Sequence, residues 1–81
     1  MEQTEINNIA RYLLETKDTL NEQNLDKAHM EAMQAELEKI IGRITEAVIE
    51  SNVFDLNMML SKLDTEAKEC YECVELRLSD A

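Results

Sequence analysis

The chain has 81 residues, with 18 Asp and Glu against 8 Lys and Arg, a formal net charge of −10. That balance excludes a direct grip on nucleic-acid phosphates, which needs a basic patch, and it opposes attraction to an anionic membrane surface. There is no proline and a single glycine, Gly42, so the tight turns of a sheet are hard to build, while the abundance of Glu, Leu, Ala, Lys and Met favours helices.

A chain this short is expected to form one domain, residues 1–81, with a thin core. Oligomerisation or a partner is then an expected source of further burial. An acidic surface suits a basic protein partner, and it also serves solubility. The start Met1-Glu2-Gln3 lacks the basic and apolar regions of a signal peptide. No apolar run approaches the ~20 residues of a membrane span. With two cysteines and no Asn-x-Ser/Thr sequon, a reducing cytoplasm is the expected compartment.

The first predicted helix runs from about Thr4 to Leu20. Ile6, Ile9, Leu13, Thr16 and Leu20 recur at steps of three and four, and Ala10, Tyr12 and Leu14 widen that stripe. Thr4 is a candidate N-cap. The stretch Asn21-Glu22-Gln23-Asn24 breaks the pattern and reads as a loop, with Asn24 able to cap the next helix.

The second predicted helix runs from about Leu25 to Ser51. Met33, Leu37, Ile40, Ile44 and Ala47 keep the same rhythm, with Ile41 and Val48 beside it. Gly42 falls mid-helix, where it costs ~1 kcal/mol against Ala. It reads either as simple tolerance or as the close approach of a neighbouring helix. The third predicted helix runs from about Val53 to Leu78, on a heptad seam of Val53, Leu56, Leu60, Leu63, Ala67, Cys70 and Val74 that ends at Arg77. The seams of the second and third helices differ in phase across Ser51-Asn52. That favours a break there, with Asn52 and Asp55 as a loose capping box. The alternative is one continuous helix of ~80 Å at 1.5 Å per residue, which would almost require a dimer.

The expected fold is all-α: a three-helix antiparallel bundle of unequal helices with coiled-coil-like packing, dimeric. The first helix is the shortest and is expected to cover the second around Leu25–Ile41. Nothing in the chain then covers the far end, which holds Ile44, Val48, Val53, Phe54, Leu56, Met58, Met59 and Leu60. Within it, Val53–Leu60 reads VFDLNMML, six apolar residues in eight, too many for one stripe of a helix whose other face stays wet. Each large side chain left exposed there forgoes ~1.5–3 kcal/mol of burial. A second copy or a foreign helix would recover it. Met58 and Met59, like Met30 and Met33, read either as ordinary gap filling or as flexible thioethers that suit an adaptable surface.

Three further constellations bear on chemistry. Cys70 and Cys73 stand at i and i+3, one face of a helix, with Cβ atoms about 5–6 Å apart. Zinc needs four ligands, and the only histidine, His29, is remote. A metal site would therefore need the thiolates of two chains, and otherwise Cys70 is a small seam residue. Redox use of the pair fits poorly, because it lies deep in the helix among acids rather than at a helix N-terminus.

Glu66, Glu69, Glu72 and Glu75 form an acidic row, able to steer a basic partner or, in the extreme, to mimic nucleic-acid phosphates. His29 has no Ser, Cys or carboxylate set by sequence to form a triad, and one glycine cannot make a phosphate loop. No enzyme and no cofactor is expected. The sequence thus points to an acidic protein–protein interaction module acting by steric occupancy and inclined to homo-oligomerise. Its apolar contact residues are Ile44, Val48, Phe54, Met58 and Met59, and its acidic ones Glu66, Glu69, Glu72 and Glu75. The alternatives are an acidic nucleic-acid mimic that inhibits a DNA- or RNA-binding enzyme, and a dimeric thiolate zinc or thiol redox protein built on Cys70 and Cys73.

Overall fold

The computed structural model describes residues 1–21 and 25–80. They form three helices, α1 (Gln3–Leu20), α2 (Lys27–Glu50) and α3 (Phe54–Asp80), with no strand among the described residues. The helices pack as a bundle, with one contiguous apolar core. None of them is long and apolar enough to cross a membrane.

The apolar rhythm of each helix becomes its buried stripe. In α1, Ile6, Ile9, Leu13, Thr16 and Leu20 are all buried. Thr16 is tolerated at a core position because its hydroxyl donates to the carbonyl of Tyr12 at 2.8 Å, so no polar group is stranded. The widening of this stripe does not hold. Ala10 and Leu14 face outward and Tyr12 is half-buried, because residues one place off a 3.6-residue stripe swing away from the core. In α2, Met30, Met33, Leu37, Ile40, Ile44 and Ala47 are buried. Met30 and Met33 are therefore core filling and not an adaptable surface. The α3 seam is buried from Leu60 through Leu63, Ala67, Cys70 and Val74. Its first two expected members fall away, Leu56 being half-buried and Val53 exposed and outside the helix.

The helix ends differ in detail from the sequence reading. Glu2, not Thr4, is the N-cap of α1, and its side chain makes no capping bond. Asn24 lies outside the described residues; the cap of α2 is Asp26, whose carboxylate accepts the backbone N–H of His29 at 2.7 Å. The expected break is present. Helix α2 ends at Glu50, Ser51 turns to extended backbone, and α3 starts at Phe54. The hydrogen bonds at this junction run through Ser51 rather than Asn52. The Ser51 hydroxyl accepts from the N–H of Val53 at 3.2 Å, and the Asn57 side chain donates to the Ser51 carbonyl at 3.5 Å. Gly42 is simple tolerance: a Cβ placed there would meet nothing within 4 Å.

Helices α2 and α3 share the largest interface, and α1 lies mainly against α3. This corrects the expectation that α1 covers α2 around Leu25–Ile41. Polar contacts tie α1 to both neighbours. Lys17 stands 4.0 Å from Glu66 of α3, and Arg77 of α3 donates to the carbonyl of Leu20, one of the orphan acceptors at the end of α1. Helix α1 reaches α2 chiefly through Glu5, which receives Arg43 in a two-pronged bond of 2.6 and 3.2 Å. Tyr71 of α3 donates to Glu38 of α2 at 2.8 Å.

Candidate functional site

Among the described residues, five of the seven large apolar side chains left exposed fall between residues 49 and 59; the other two, Leu14 on α1 and Leu76 late in α3, are 63 % and 67 % exposed and lie elsewhere. Ile49 at the end of α2 is 78 % exposed, Val53 57 %, Phe54 74 %, Met58 59 % and Met59 44 %. Val48 and Leu56 are half-buried, while Ile44 and Leu60 are fully buried. Of the expected contact residues, Phe54, Met58 and Met59 thus present apolar surface and Val48 does so in part. Ile44 has none to offer, because it is a seam residue held between α2 and α3. The cause of the surplus is local. The chain reverses at residues 51–53, so Val53 and Phe54 sit at the tip of the bundle with no third helix beside them.

One member of this surface escapes the sequence reading. Ile49 follows Val48 by one place, outside the seam. The signal is there: an isoleucine next to a charged residue at the last turn of a helix is out of phase with the stripe and has to point away from the core.

Two faces of α3 run up from this tip. Phe54, Met58, Ser61 and Thr65 follow one another at three- and four-residue steps on one face. Ser61, Asp64 and Thr65 line a groove with Ile44, Thr45, Val48 and Ile49 of α2. On the other side, Glu66, Cys70 and Arg77 face α1. A separate cleft between α1 and α2 is bordered by the Glu5–Arg43 pair, with Ile9, Tyr12 and Ile40 along it. Burial pushes the Tyr12 phenol up, against the hydrogen bond with Thr16.

The acidic row is divided by its setting. Glu66 is half-buried and close to Lys17, whereas Glu69, Glu72 and Glu75 are exposed. Cys70 is buried in the core, and burial raises its thiol above the ordinary range, with Lys17 pulling the other way. Cys73 is half-buried in a cleft with Lys17, Leu20, Asn21 and Glu69. Among the described residues, no three His, Cys, Asp or Glu side chains gather as a metal site. His29 is exposed, and its backbone, not its ring, is used at the start of α2. Comparison of the chain with protein-family models, curated proteins and solved structures finds no match.

Proposed function

We propose that this chain is a non-catalytic protein–protein interaction module that works by steric occupancy, its apolar tip covering or being covered by another protein surface. The observation that carries this reading is the group of large apolar side chains left in water at one end of the bundle, with Phe54 74 % and Met58 59 % exposed. The helices are read as an up-down-up antiparallel set. The cross-helix pairs Glu5–Arg43, Tyr71–Glu38 and Lys17–Glu66 support that order, since low residue numbers of α1 meet high ones of α2, while α1 and α3 rise together. Exposed Glu69, Glu72 and Glu75 are read as orienting charge for an approaching partner. Both thiols fit a reducing cytoplasm.

The double variant Phe54→Asp/Met58→Asp tests the reading. Light scattering and partner binding are expected to show loss of association, with helix content by circular dichroism unchanged. Full retention of association contradicts it. Replacing Glu69, Glu72 and Glu75 with Gln separates this reading from an acidic mimic: occupancy through the tip survives that change, whereas mimicry does not.

A further inference from the structure

The groove between α2 and α3 carries Ser61, Asp64 and Thr65 on its α3 side, and one oxygen of Asp64 is not used by the fold. Asp64 pairs through Oδ2 with Lys68 at 2.8 Å, but its Oδ1 is buried and has no hydrogen-bond partner among the described residues. Asn57 repeats the pattern. Its amide nitrogen is turned to the Ser51 carbonyl, and its Oδ1 is likewise buried without a partner. Asn57 lies two turns, ~10 Å, from Asp64 toward the tip, beyond the residues that line the groove. A stranded buried acceptor is costly, and a donor brought by a ligand removes that cost instead of merely displacing water. The Asp64 side chain, which lines the groove, keeps 23 % of its surface accessible.

Apolar surface frames these acceptors. Val48 and Ile49 stand on the α2 wall, and Phe54 and Met58 continue the Ser61–Thr65 face of α3 toward the tip. The charge of the region is acidic. Glu46 stands 3.9 Å from Arg43 and Asp64 is paired with Lys68, which leaves Glu50 and Asp55 against Lys62 between residues 46 and 62. A second copy in a two-fold contact would bring Glu50 and Asp55 of both chains into the same interface, whereas a basic helix meets complementary charge.

Taking the interaction-module reading as its basis, we propose that the α2–α3 groove, on the side away from α1, docks a basic amphipathic helix of a partner protein. The apolar face of that helix lies on Val48, Ile49, Phe54 and Met58, and a Lys or Arg one or two turns along it donates to the Asp64 carboxylate. This is helix-in-groove recognition with one desolvated charge-assisted bond setting the register.

The test is calorimetric titration of the full chain with an amphipathic peptide of ~18 residues, five helical turns, carrying Leu at every third or fourth position and Lys on the flanks. Its counterpart has Glu for every Lys. The Lys peptide is expected to bind and the Glu peptide not. Asp64→Asn is expected to weaken the Lys peptide by at least about tenfold, while Glu15→Gln, which removes an exposed α1 charge elsewhere, changes it by less than about twofold. Lys68→Ala frees the second Asp64 oxygen and is expected to strengthen binding, a sign that misfolding cannot produce. Equal losses from Asp64→Asn and Glu15→Gln, equal binding of the two peptides, or no binding of the Lys peptide would each overturn the proposal. If the Lys peptide fails while Phe54→Asp/Met58→Asp still abolishes self-association, the groove assignment falls and the interaction module stands, with a second copy as its occupant.

Discussion

The half of the bundle that α1 covers and the tip that it leaves bare are built from the same kind of sequence, yet they end differently. Under α1, every seam residue from Ile6 to Leu20 is buried, and the polar flanks find partners at Glu5–Arg43, Lys17–Glu66 and Arg77–Leu20. At the tip, Ile49, Val53, Phe54 and Met58 stand in water, and two buried acceptors on Asn57 and Asp64 go unmet. A two-helix end can bury one stripe from each helix and no more. Apolar residues beyond that stripe are surplus to the fold, and they are the surface on which the proposed contact rests.

The largest effect that would sharpen this contrast is truncation of fully buried seam residues. Leu37→Ala and Leu60→Ala, both at 0 % exposure, are expected to lower unfolding free energy by about 2–5 kcal/mol in urea titrations. Phe54→Ala is expected to change it by no more than about 0.5 kcal/mol. A comparable loss at Phe54 would erase the distinction between the two regions.

A smaller effect of opposite sign is expected at Gly42. It is exposed, helical and without a neighbour for a Cβ, so Gly42→Ala raises stability by ~1 kcal/mol, read as a higher urea midpoint. A loss there would mean that another surface closes on Gly42.

The smallest concerns pH. Tyr71 donates to Glu38, and that bond, helped by burial and by Glu75, pushes its phenol from 10.0 up to about 12. A raised folded value stabilises the fold fully below the unfolded value near 10, and the contribution disappears as pH climbs toward about 12. Ultraviolet titration of Glu38→Gln is expected to bring the Tyr71 transition down toward its ordinary value, and an unmoved transition would remove the bond from the account.

The three helices, their break at Ser51–Val53 and nearly all of the core are legible in the sequence, because a three- and four-residue rhythm such as Met33-Leu37-Ile40-Ile44-Ala47 has one physical solution. The choice of α1 for α3 over α2 is not legible. Pairs such as Lys17–Glu66 and Arg77–Leu20, separated by 49 and 57 positions, meet only once the register is assembled. The exposed apolar tip is legible as an excess in VFDLNMML, but its membership is not. Ile44 reads as a contact residue although its seam position buries it, and Ile49 passes unnoticed beside Val48. The orphan oxygens of Asn57 and Asp64 have no signature at all, since satisfaction of a side chain is decided by its neighbours in space.

The most direct test of the central claim is urea unfolding of Phe54→Asp/Met58→Asp beside the unaltered chain, at a concentration where light scattering shows both to be monomeric. The same midpoint and the same slope are expected for both, because neither side chain belongs to the core. A midpoint lowered as far as that of Leu37→Ala would contradict it, showing that the tip is part of what holds the bundle together.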